Sequence, residues 1–294
     1  MEIDIVFSGG GIKGFALIGA YGAIEAKGLR WRRLAGTSAG SLIAALIAAG
    51  YTSKEMTDLL DELELERFLD ERKCPFPFPV WKWVRLYWRM GLYKGDAFEQ
   101  WLKEVLAARD VKTFGDLPKE SLYIIASDVT NGRMCILPDD LPQYGIDPAT
   151  FSVAKAVRMS ISIPYFFEPV KLQTKEGKYI IVDGGVLSNF PLFLFDEEKK
   201  VKKRPVLGIQ LSAKLTERPM RNINNAIQLF EALFSAMKEA HDTRYISRRH
   251  EKNIVFLPVE NVFSTEFSLT PDIRDRLIQY GREKTEQFLT KWTY

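Results

Sequence analysis

A serine with a glycine two residues to either side, in the run Gly36-Thr37-Ser38-Ala39-Gly40, sets the strongest limits on the architecture of this chain. The apolar residue Leu34 precedes the run, and a helix-like segment, Ser41 to Ala49, follows it. This context is typical of a nucleophile elbow, in which a serine lies at a sharp, strained turn from a strand to a helix. The N–H groups at the start of that helix face the serine, where negative charge would develop. A tight turn that contains a serine by chance has the same pattern, so other features of the chain must distinguish a catalytic elbow from an ordinary turn.

A second glycine-rich stretch joins the first predicted strand to the first predicted helix. Ile3 to Phe7 is apolar and β-branched, as in a buried strand, and Phe15 to Lys27 has apolar residues at helical spacing. Between them lies Ser8-Gly9-Gly10-Gly11-Ile12-Lys13-Gly14. Bare backbone N–H groups at a helix N-terminus form an anion site. The stretch therefore predicts a site for negative charge next to the first helix.

Two functions compete for this glycine loop. Gly9, Gly11 and Gly14 fit the dinucleotide fingerprint G-x-G-x-x-G, which expects an acid at the end of the second strand. The second strand, predicted over about 31–35, ends in the serine motif instead. An oxyanion hole formed by the N–H groups of Gly10 and Gly11 suits this arrangement better, because both motifs then lie at the carboxyl edge of adjacent parallel strands. A dinucleotide-binding oxidoreductase is the lower-ranked alternative.

An acidic residue closes a later strand in the same way. Tyr179 to Val182 is a short apolar run, and Asp183-Gly184-Gly185 follows it. An acid at the carboxyl end of a strand is expected at the same edge as Ser38, which makes Asp183 a candidate base for the serine proton. Most serine hydrolases use a histidine for this step. The two histidines, His241 and His250, belong to a long helix predicted around residues 224–249, where a packing role is favoured.

Composition and charge exclude several classes of protein. The chain has 294 residues, of which 46% are hydrophobic and 27% charged, so one large α/β domain spanning 1–294 is expected. A net charge of +3 without a nucleic-acid-binding motif predicts no nucleic-acid partner. The N-terminus lacks the pattern of a signal peptide and the longest apolar run is too short to span a bilayer, which predicts a cytoplasmic protein. Cys74 and Cys135 are expected to be free thiols, with one disulfide as the alternative.

The segment from Arg72 to Met90 combines alternating prolines with tryptophans and basic residues. It contains Trp81, Trp83 and Trp88. One interpretation is an aromatic lid packed on the sheet, since aromatic residues at helical spacing are usually buried. The other is a contact with a membrane interface, where tryptophan and basic side chains are both favourable. A non-catalytic membrane-binding protein is a further hypothesis that this segment leaves open.

The remaining elements are predicted from periodicity. Asp128, at the end of a strand, is expected to anchor its loop by accepting backbone N–H groups. The stiff apolar loop from Ser160 to Val170 is a candidate lining for an acyl pocket. The predicted helices are 52–68, 95–108, 151–160 and 271–292, and the predicted strands are 122–126, 206–211 and 254–257.

Together these motifs resemble the patatin-like phospholipases. Gly9 to Gly14, the serine motif and Asp183-Gly184-Gly185 occur in the family's order, and the stretches Ser160 to Pro164 and Asp183 to Pro191 are similar to family blocks. The resemblance covers about residues 1–210 and implies a three-layer α/β/α sandwich with a mostly parallel central sheet. The C-terminal part, 215–294, is expected to add helices and the last strand. Ser162 stands where many members have alanine, and 72–90 has no family counterpart.

The resemblance also implies the chemistry. It makes the chain a lipid acyl hydrolase of the phospholipase A or lysophospholipase type, with Ser38 as nucleophile, Asp183 as proton acceptor and no catalytic histidine. Gly10 and Gly11 would donate to the oxyanion, and neither a metal nor a cofactor is implied. Burial of Asp183 would raise its pKa and so make it a better base. An acyltransferase on the same scaffold is the alternative. The motif glycines are Gly9, Gly14, Gly36, Gly40, Gly184 and Gly185.

Overall fold

The computed structural model describes most of the chain but not all of it. The described residues are 1–61, 65–71, 86–175, 177–195, 204–212, 251–259 and 270–293, with a few positions between 223 and 237. Several sequence predictions lie outside them: Trp81 and Trp83, most of the helix around 224–249, and both histidines, His241 and His250.

A mostly parallel sheet forms the centre of the fold. Its strands are β1 (Glu2–Phe7), β2 (Arg30–Thr37), β4 (Leu122–Asp128), β5 (Arg133–Leu137), β7 (Val170–Gln173), β8 (Lys178–Asp183), β9 (Val206–Gln210) and β10 (Ile254–Phe256). They run in the order β10-β9-β1-β2-β4-β8-β7, with β5 paired to β4. Every pair from β10 to β4 is parallel, whereas β5, β8 and β7 join by antiparallel pairing.

Helices and turns cover the sheet. A small parallel pair, β3 (Gly91–Tyr93) and β6 (Tyr165–Phe167), lies apart from the main sheet. The predicted helix 52–68 is described as α3 and a 3-10 turn at Leu65–Phe68, and the other predicted helices, apart from the one around 224–249, agree with prediction to within two residues. They include α1 (Phe15–Ala26), α2 (Ala39–Ala48), α3 (Ser53–Asp61), α4 (Asp96–Ala107), α5 (Val153–Ser160) and α6 (Pro271–Lys291).

The two faces of the sheet carry separate apolar cores. Along β1, Ile5 and Phe7 point into the larger core and Val6 into the smaller one, as the alternation of side chains along a strand requires. The larger core is shared with α1 to α6, and the smaller one with the turn at Leu192–Phe195. A sheet between two packed layers is the predicted three-layer α/β architecture, which is therefore confirmed.

The direction of β8 differs from the simplest expectation for an acid at a strand end. In an all-parallel sheet, β8 would run in the same direction as β2, and Asp183 at its carboxyl end would lie at the same edge as Ser38. Instead β8 is antiparallel to β4, and Asp183 pairs with Ala126 one residue beyond the level where Ile125 pairs with Thr37. Asp183 is beside the serine motif because β8 starts beyond that edge and ends level with it.

The last helix packs directly on the first. The α1 helix is buried over Phe15 to Ile24, which is typical of a helix surrounded by protein. At the crossing a Cβ atom added to Gly19 would lie 1.8 Å from the carbonyl oxygen of Ile278, and one added to Gly281 would lie 1.9 Å from that of Ala16. The backbones of α1 and α6 are thus in contact, and only glycine fits at these positions.

Candidate active site

Ser38 occupies a strained turn between β2 and α2, as the motif predicted. Its backbone angles are φ +52° and ψ −123°, a region that costs a non-glycine residue about 1–3 kcal/mol. The flanking glycines allow close backbone contact: a Cβ added to Gly36 would lie 2.3 Å from the carbonyl oxygen of Gly40, and one added to Gly40 would lie 2.5 Å from that of Phe7. The turn therefore presses against the end of β1, where the glycine loop begins.

The structure brings Ser38 and Asp183 into direct contact. Ser38 Oγ donates a hydrogen bond to Asp183 Oδ2 at 2.6 Å, and both residues are buried. The other carboxylate oxygen, Oδ1, accepts from the N–H of Gly185 at 2.7 Å. The backbone N–H of Asp183 donates to the carbonyl oxygen of Ser162 at 2.8 Å. The carboxylate is therefore fixed on its far side and offers its remaining oxygen to the serine.

The glycine loop lies against the same serine. A Cβ on Gly9 would come within 3.2 Å of Ser38 Cβ, and one on Gly14 within 2.8 Å of Ala39 Cβ. Within the described residues, neither the Gly10 nor the Gly11 N–H donates to another protein group, and the turn's first internal donor is the N–H of Lys13. A pair of N–H groups without a protein acceptor is what an oxyanion hole requires.

The segment after Asp183 ties the three motifs together. A Cβ on Gly184 would lie 2.2 Å from the carbonyl oxygen of Ile125, so the turn packs directly on β4. The carbonyl oxygen of Ser188 accepts from Thr37 Oγ1 at 3.1 Å, and that of Asn189 accepts from the N–H of Gly9 at 3.0 Å. Residues 184–189 therefore connect the acid to both the serine motif and the glycine loop.

An apolar cavity opens beside Ser38. Its walls come from the glycine loop, the helices α1 to α4, the turn at Leu65–Phe68 and the residues after α5. The predicted pocket-lining loop after Ser160 does line it. Apart from Ser38 every lining residue is apolar or glycine: Gly11, Ile12, Gly14, Phe15, Ile18, Ala39, Leu42, Ile43, Leu60, Phe68, Phe98, Trp101, Ile161, Ile163 and Phe167.

A buried arginine joins the cavity wall to the end of α5. The Arg158 side chain donates to the carbonyl oxygens of Lys94, Gly95 and Glu168, and its guanidinium carbon lies 5.3 Å from the ring centre of Phe167. Burial lowers the pKa of Arg158 below its usual range. The arginine thus crosslinks the end of α5 to two other stretches of backbone around the cavity, Lys94–Gly95 and Glu168. Sequence reasoning missed it, because an arginine in a short helix normally faces solvent.

Asp128 has the structural role that the sequence predicted. Its Oδ1 accepts from the N–H groups of Thr130 and Asn131 at 3.0 and 3.1 Å. Its Oδ2 accepts from Tyr144 Oη at 2.9 Å. This carboxylate anchors the turn between β4 and β5 and is committed to neighbours other than Ser38.

Neither a membrane-spanning helix nor a metal-binding cluster occurs in the described part of the chain. No helix there is both long and apolar enough to cross a membrane. Over the same ranges, no three or more His, Cys, Asp or Glu side chains are grouped so that they could hold a metal ion. Cys135 is a buried free thiol, in agreement with one of the two expectations for the cysteines.

Comparison with known proteins places these motifs in a family. The family model for patatin-like phospholipase matches residues 5–196, which include the glycine loop, Ser38 and Asp183. The uncharacterized protein YqhO of Bacillus subtilis is 56% identical over the full length of both chains. The cUMP-AMP-activated phospholipase of Escherichia coli is 25% identical, over 95% of this chain and 86% of that protein. The probable lipid hydrolase 463L of Invertebrate iridescent virus 6 is 25% identical, over 68% and 66%.

Solved structures share the fold. VipD from Legionella pneumophila matches with a TM-score of 0.59 at 20% identity, over 99% of this chain and 67% of that one. ExoU from Pseudomonas aeruginosa, in its complex with SpcU, matches with a TM-score of 0.52 at 19% identity, over 98% of this chain and 52% of that one. The family model spans most of the chain, and the residues it matches include the serine motif, the acid and the glycine loop. This protein therefore belongs to the patatin-like phospholipase family.

Proposed function

We propose that this chain is a serine acyl-ester hydrolase acting on lipids, of the phospholipase A or lysophospholipase type. The observation that carries the proposal is the 2.6 Å hydrogen bond from Ser38 Oγ to Asp183 Oδ2 beside an apolar cavity. The hydroxyl lies within hydrogen-bond distance of the atom that would take its proton, which is the geometry that a general base needs. Membership of a phospholipase family supports a lipid as the substrate.

In the proposed acylation step, Ser38 Oγ attacks the carbonyl carbon of the ester and its proton moves to Asp183 Oδ2. The tetrahedral intermediate carries its negative charge on the former carbonyl oxygen, which the N–H groups of Gly10 and Gly11 would bind. One donor of this kind is typically worth about 3 kcal/mol of transition-state stabilisation. The bond to the leaving alcohol then breaks, the alcohol takes the proton from Asp183, and an acyl-enzyme is left.

Deacylation would use the same groups in reverse. A water molecule gives a proton to Asp183 and attacks the acyl carbon, and the second tetrahedral intermediate is held by the same N–H groups. Its collapse breaks the bond to Ser38 Oγ, which recovers the proton from Asp183, and the free acid leaves. An alcohol in place of the water would give the acyltransferase reaction.

The cavity supports an acyl chain as the group held during these steps. Ser38 is one of its lining residues, and the other lining residues are apolar or glycine. Transfer of a methylene group from water into such a site stabilises the complex by about 0.8 kcal/mol. A cavity of this kind favours a hydrocarbon chain over a polar acyl group.

The deciding experiment is covalent labelling with a fluorophosphonate probe, followed by mapping of the adduct by mass spectrometry. We expect the adduct on Ser38, together with hydrolysis of p-nitrophenyl acyl esters that Ser38→Ala abolishes. Ser121→Ala is the matched control, because Ser121 is a buried serine whose hydroxyl has no hydrogen-bond partner in the described chain. Folded protein that neither labels at Ser38 nor hydrolyses any ester would refute the proposal. Product analysis with a competing alcohol separates hydrolase from transferase.

We also propose a peripheral contact with the lipid surface through the aromatic residues before β3. Tyr87 and Trp88 are 78% and 72% exposed, and their rings pack edge to face at 5.3 Å. Exposed aromatic pairs suit the headgroup region of a membrane. Pelleting with phosphatidylcholine vesicles tests the contact: Tyr87→Ser with Trp88→Ser should reduce binding, and undiminished binding would count against it.

A further inference from the structure

The strained backbone of Ser38 is held on two sides by different parts of the chain. On the carbonyl side, its oxygen accepts from the Ser41 N–H at 2.9 Å and from Ser41 Oγ at 2.6 Å. Both donors belong to the first turn of α2, the helix that Ser38 itself begins. On the amide side, its N–H donates to Ser160 Oγ at 2.8 Å. Ser160 is the last residue of α5 and lies 122 positions away in sequence, so this second support comes from a different helix.

The chemistry of the groups fixes the direction of these bonds. An amide N–H can only donate, so Ser160 Oγ is the acceptor, and its single hydroxyl proton is left for another partner. That proton goes to the carbonyl oxygen of Ile125 in β4, at 2.5 Å. Ser160 is fully buried, so no water competes for either bond. The hydroxyl is therefore a link between the serine motif at the end of β2 and the neighbouring strand β4.

The same stretch of chain also holds Asp183. The carbonyl oxygen of Ser162 accepts the backbone N–H of Asp183 at 2.8 Å. The Ser38 Oγ to Asp183 Oδ2 contact thus spans two residues that are both tied to the end of α5, one through Ser160 and one through Ser162. Arg158, which lies just before them in α5, attaches this end of the helix to the cavity wall.

We propose that Ser160 is a positioning residue that sets the distance and direction of the Ser38–Asp183 contact; this inference rests on the proposed function. Because the Ser38 N–H donates to Ser160 Oγ, it is not available to the oxyanion, which leaves the N–H groups of the glycine loop as the donors. Without the Ser160 hydroxyl, the Ser38 N–H is buried with no acceptor, and the strained turn loses its only described restraint on the amide side. A shift of about 1 Å in a reacting group can cost about a hundredfold in rate.

The test compares Ser160→Ala, Ser160→Thr and Ser121→Ala. Ser160→Thr retains a hydroxyl, and Ser121→Ala removes the same atom from an equally buried serine that makes no such bond. On a p-nitrophenyl ester we expect kcat of Ser160→Ala to fall between about 10- and 100-fold with KM nearly unchanged. We expect Ser160→Thr to recover part of the loss and Ser121→Ala to keep the wild-type kcat. Should Ser160→Ala fail to fold, Ser160→Cys, a weaker hydrogen-bonding group of similar size, takes its place.

A second readout does not depend on catalysis. In hydrogen-exchange mass spectrometry, the peptide that contains Ser38 should exchange faster in Ser160→Ala than in the wild type, while peptides of β1 stay unchanged. A wild-type protein without esterase activity refutes the proposed function. The exchange experiment would still test whether the Ser160 hydroxyl restrains the backbone of Ser38. A folded Ser160→Ala variant with kcat within twofold of wild type, or unchanged exchange at Ser38, overturns the role given to Ser160. So does an equal loss of kcat in Ser121→Ala.

Discussion

Replacing Asp183 with asparagine isolates the role of one oxygen atom. The Gly185 N–H donates to Asp183 Oδ1, so an asparagine keeps its carbonyl oxygen at that position and turns its NH₂ group toward Ser38. An amide NH₂ can only donate, and it cannot take the proton from Ser38 Oγ. The size of the side chain and its contact with Gly185 are both retained, so the variant should fold. The nucleophile remains in place and loses its base.

The size of the effect follows from the group that is removed. General acid–base catalysis contributes about 10²–10⁴-fold, which is about 3–5 kcal/mol at about 1.36 kcal/mol per tenfold change. Two contacts of Asp183, with Gly185 and with the carbonyl oxygen of Ser162, survive the substitution. We therefore expect kcat to fall by about a thousandfold. KM should change little, because Asp183 is not among the residues that line the cavity.

The assay is initial-rate hydrolysis of p-nitrophenyl butyrate by wild type, Asp183→Asn and Asp128→Asn, with circular dichroism as the check of folding. Asp128 is the matched control, since it is an equally buried carboxylate on β4 that binds loop N–H groups and Tyr144. We expect Asp128→Asn to keep most of the wild-type kcat. A folded Asp183→Asn variant that retained more than about a tenth of the wild-type kcat would contradict the reasoning, because loss of a general base costs at least about a hundredfold.

Three further predictions concern the cavity, the helix crossing and the buried thiol. Leu42→Phe adds bulk to the cavity wall and should shift the preferred p-nitrophenyl ester toward shorter acyl chains; an unchanged chain-length profile would show that the chain binds elsewhere. Gly281→Ala places a methyl group 1.9 Å from the carbonyl oxygen of Ala16. We expect the free energy of unfolding to fall by about 1–3 kcal/mol and Tm by roughly 2–10 °C, and an unchanged Tm in a thermal-shift assay would speak against the crossing. Burial raises the pKa of Cys135 to about 12, so almost no thiolate forms at about pH 8. Iodoacetamide followed by peptide mapping should modify Cys135 in urea and leave it intact in native protein; equal modification in both would contradict its burial.

Local sequence patterns predicted most of the framework. The strand before Gly9 and the helix after it were visible because apolar periodicity changes from strand to helix across a glycine-rich turn. The serine motif was visible because an elbow demands glycine at fixed offsets, and the structure has backbone contacts at Gly36 and Gly40 that no larger residue allows. The loop role of Asp128 was predictable because the backbone N–H groups that it binds are within three positions.

The rest depended on contacts between distant residues. The apolar run of β8 gives no sign of strand direction, so its antiparallel pairing was not predictable. Ser160 was recognised as part of a family-like block and of a candidate pocket lining, but its bond to Ser38 was not predictable because it crosses 122 positions. Trp101 of α4 lines the cavity, but no local sequence pattern connects α4 with Ser38. Tertiary packing decided each of these features.

The contact between α1 and α6 bears on how this protein can be shortened. Every recognisable motif ends by residue 196, so a fragment cut there would look complete to anyone reading motifs. It would lack α6, and the groove along Ala16 and Gly19 that now accommodates a second backbone would be bare. That groove belongs to the helix whose N-terminus presents the glycine loop. The smallest unit worth expressing therefore extends through Lys291, well past residue 196, where the match to the family model ends.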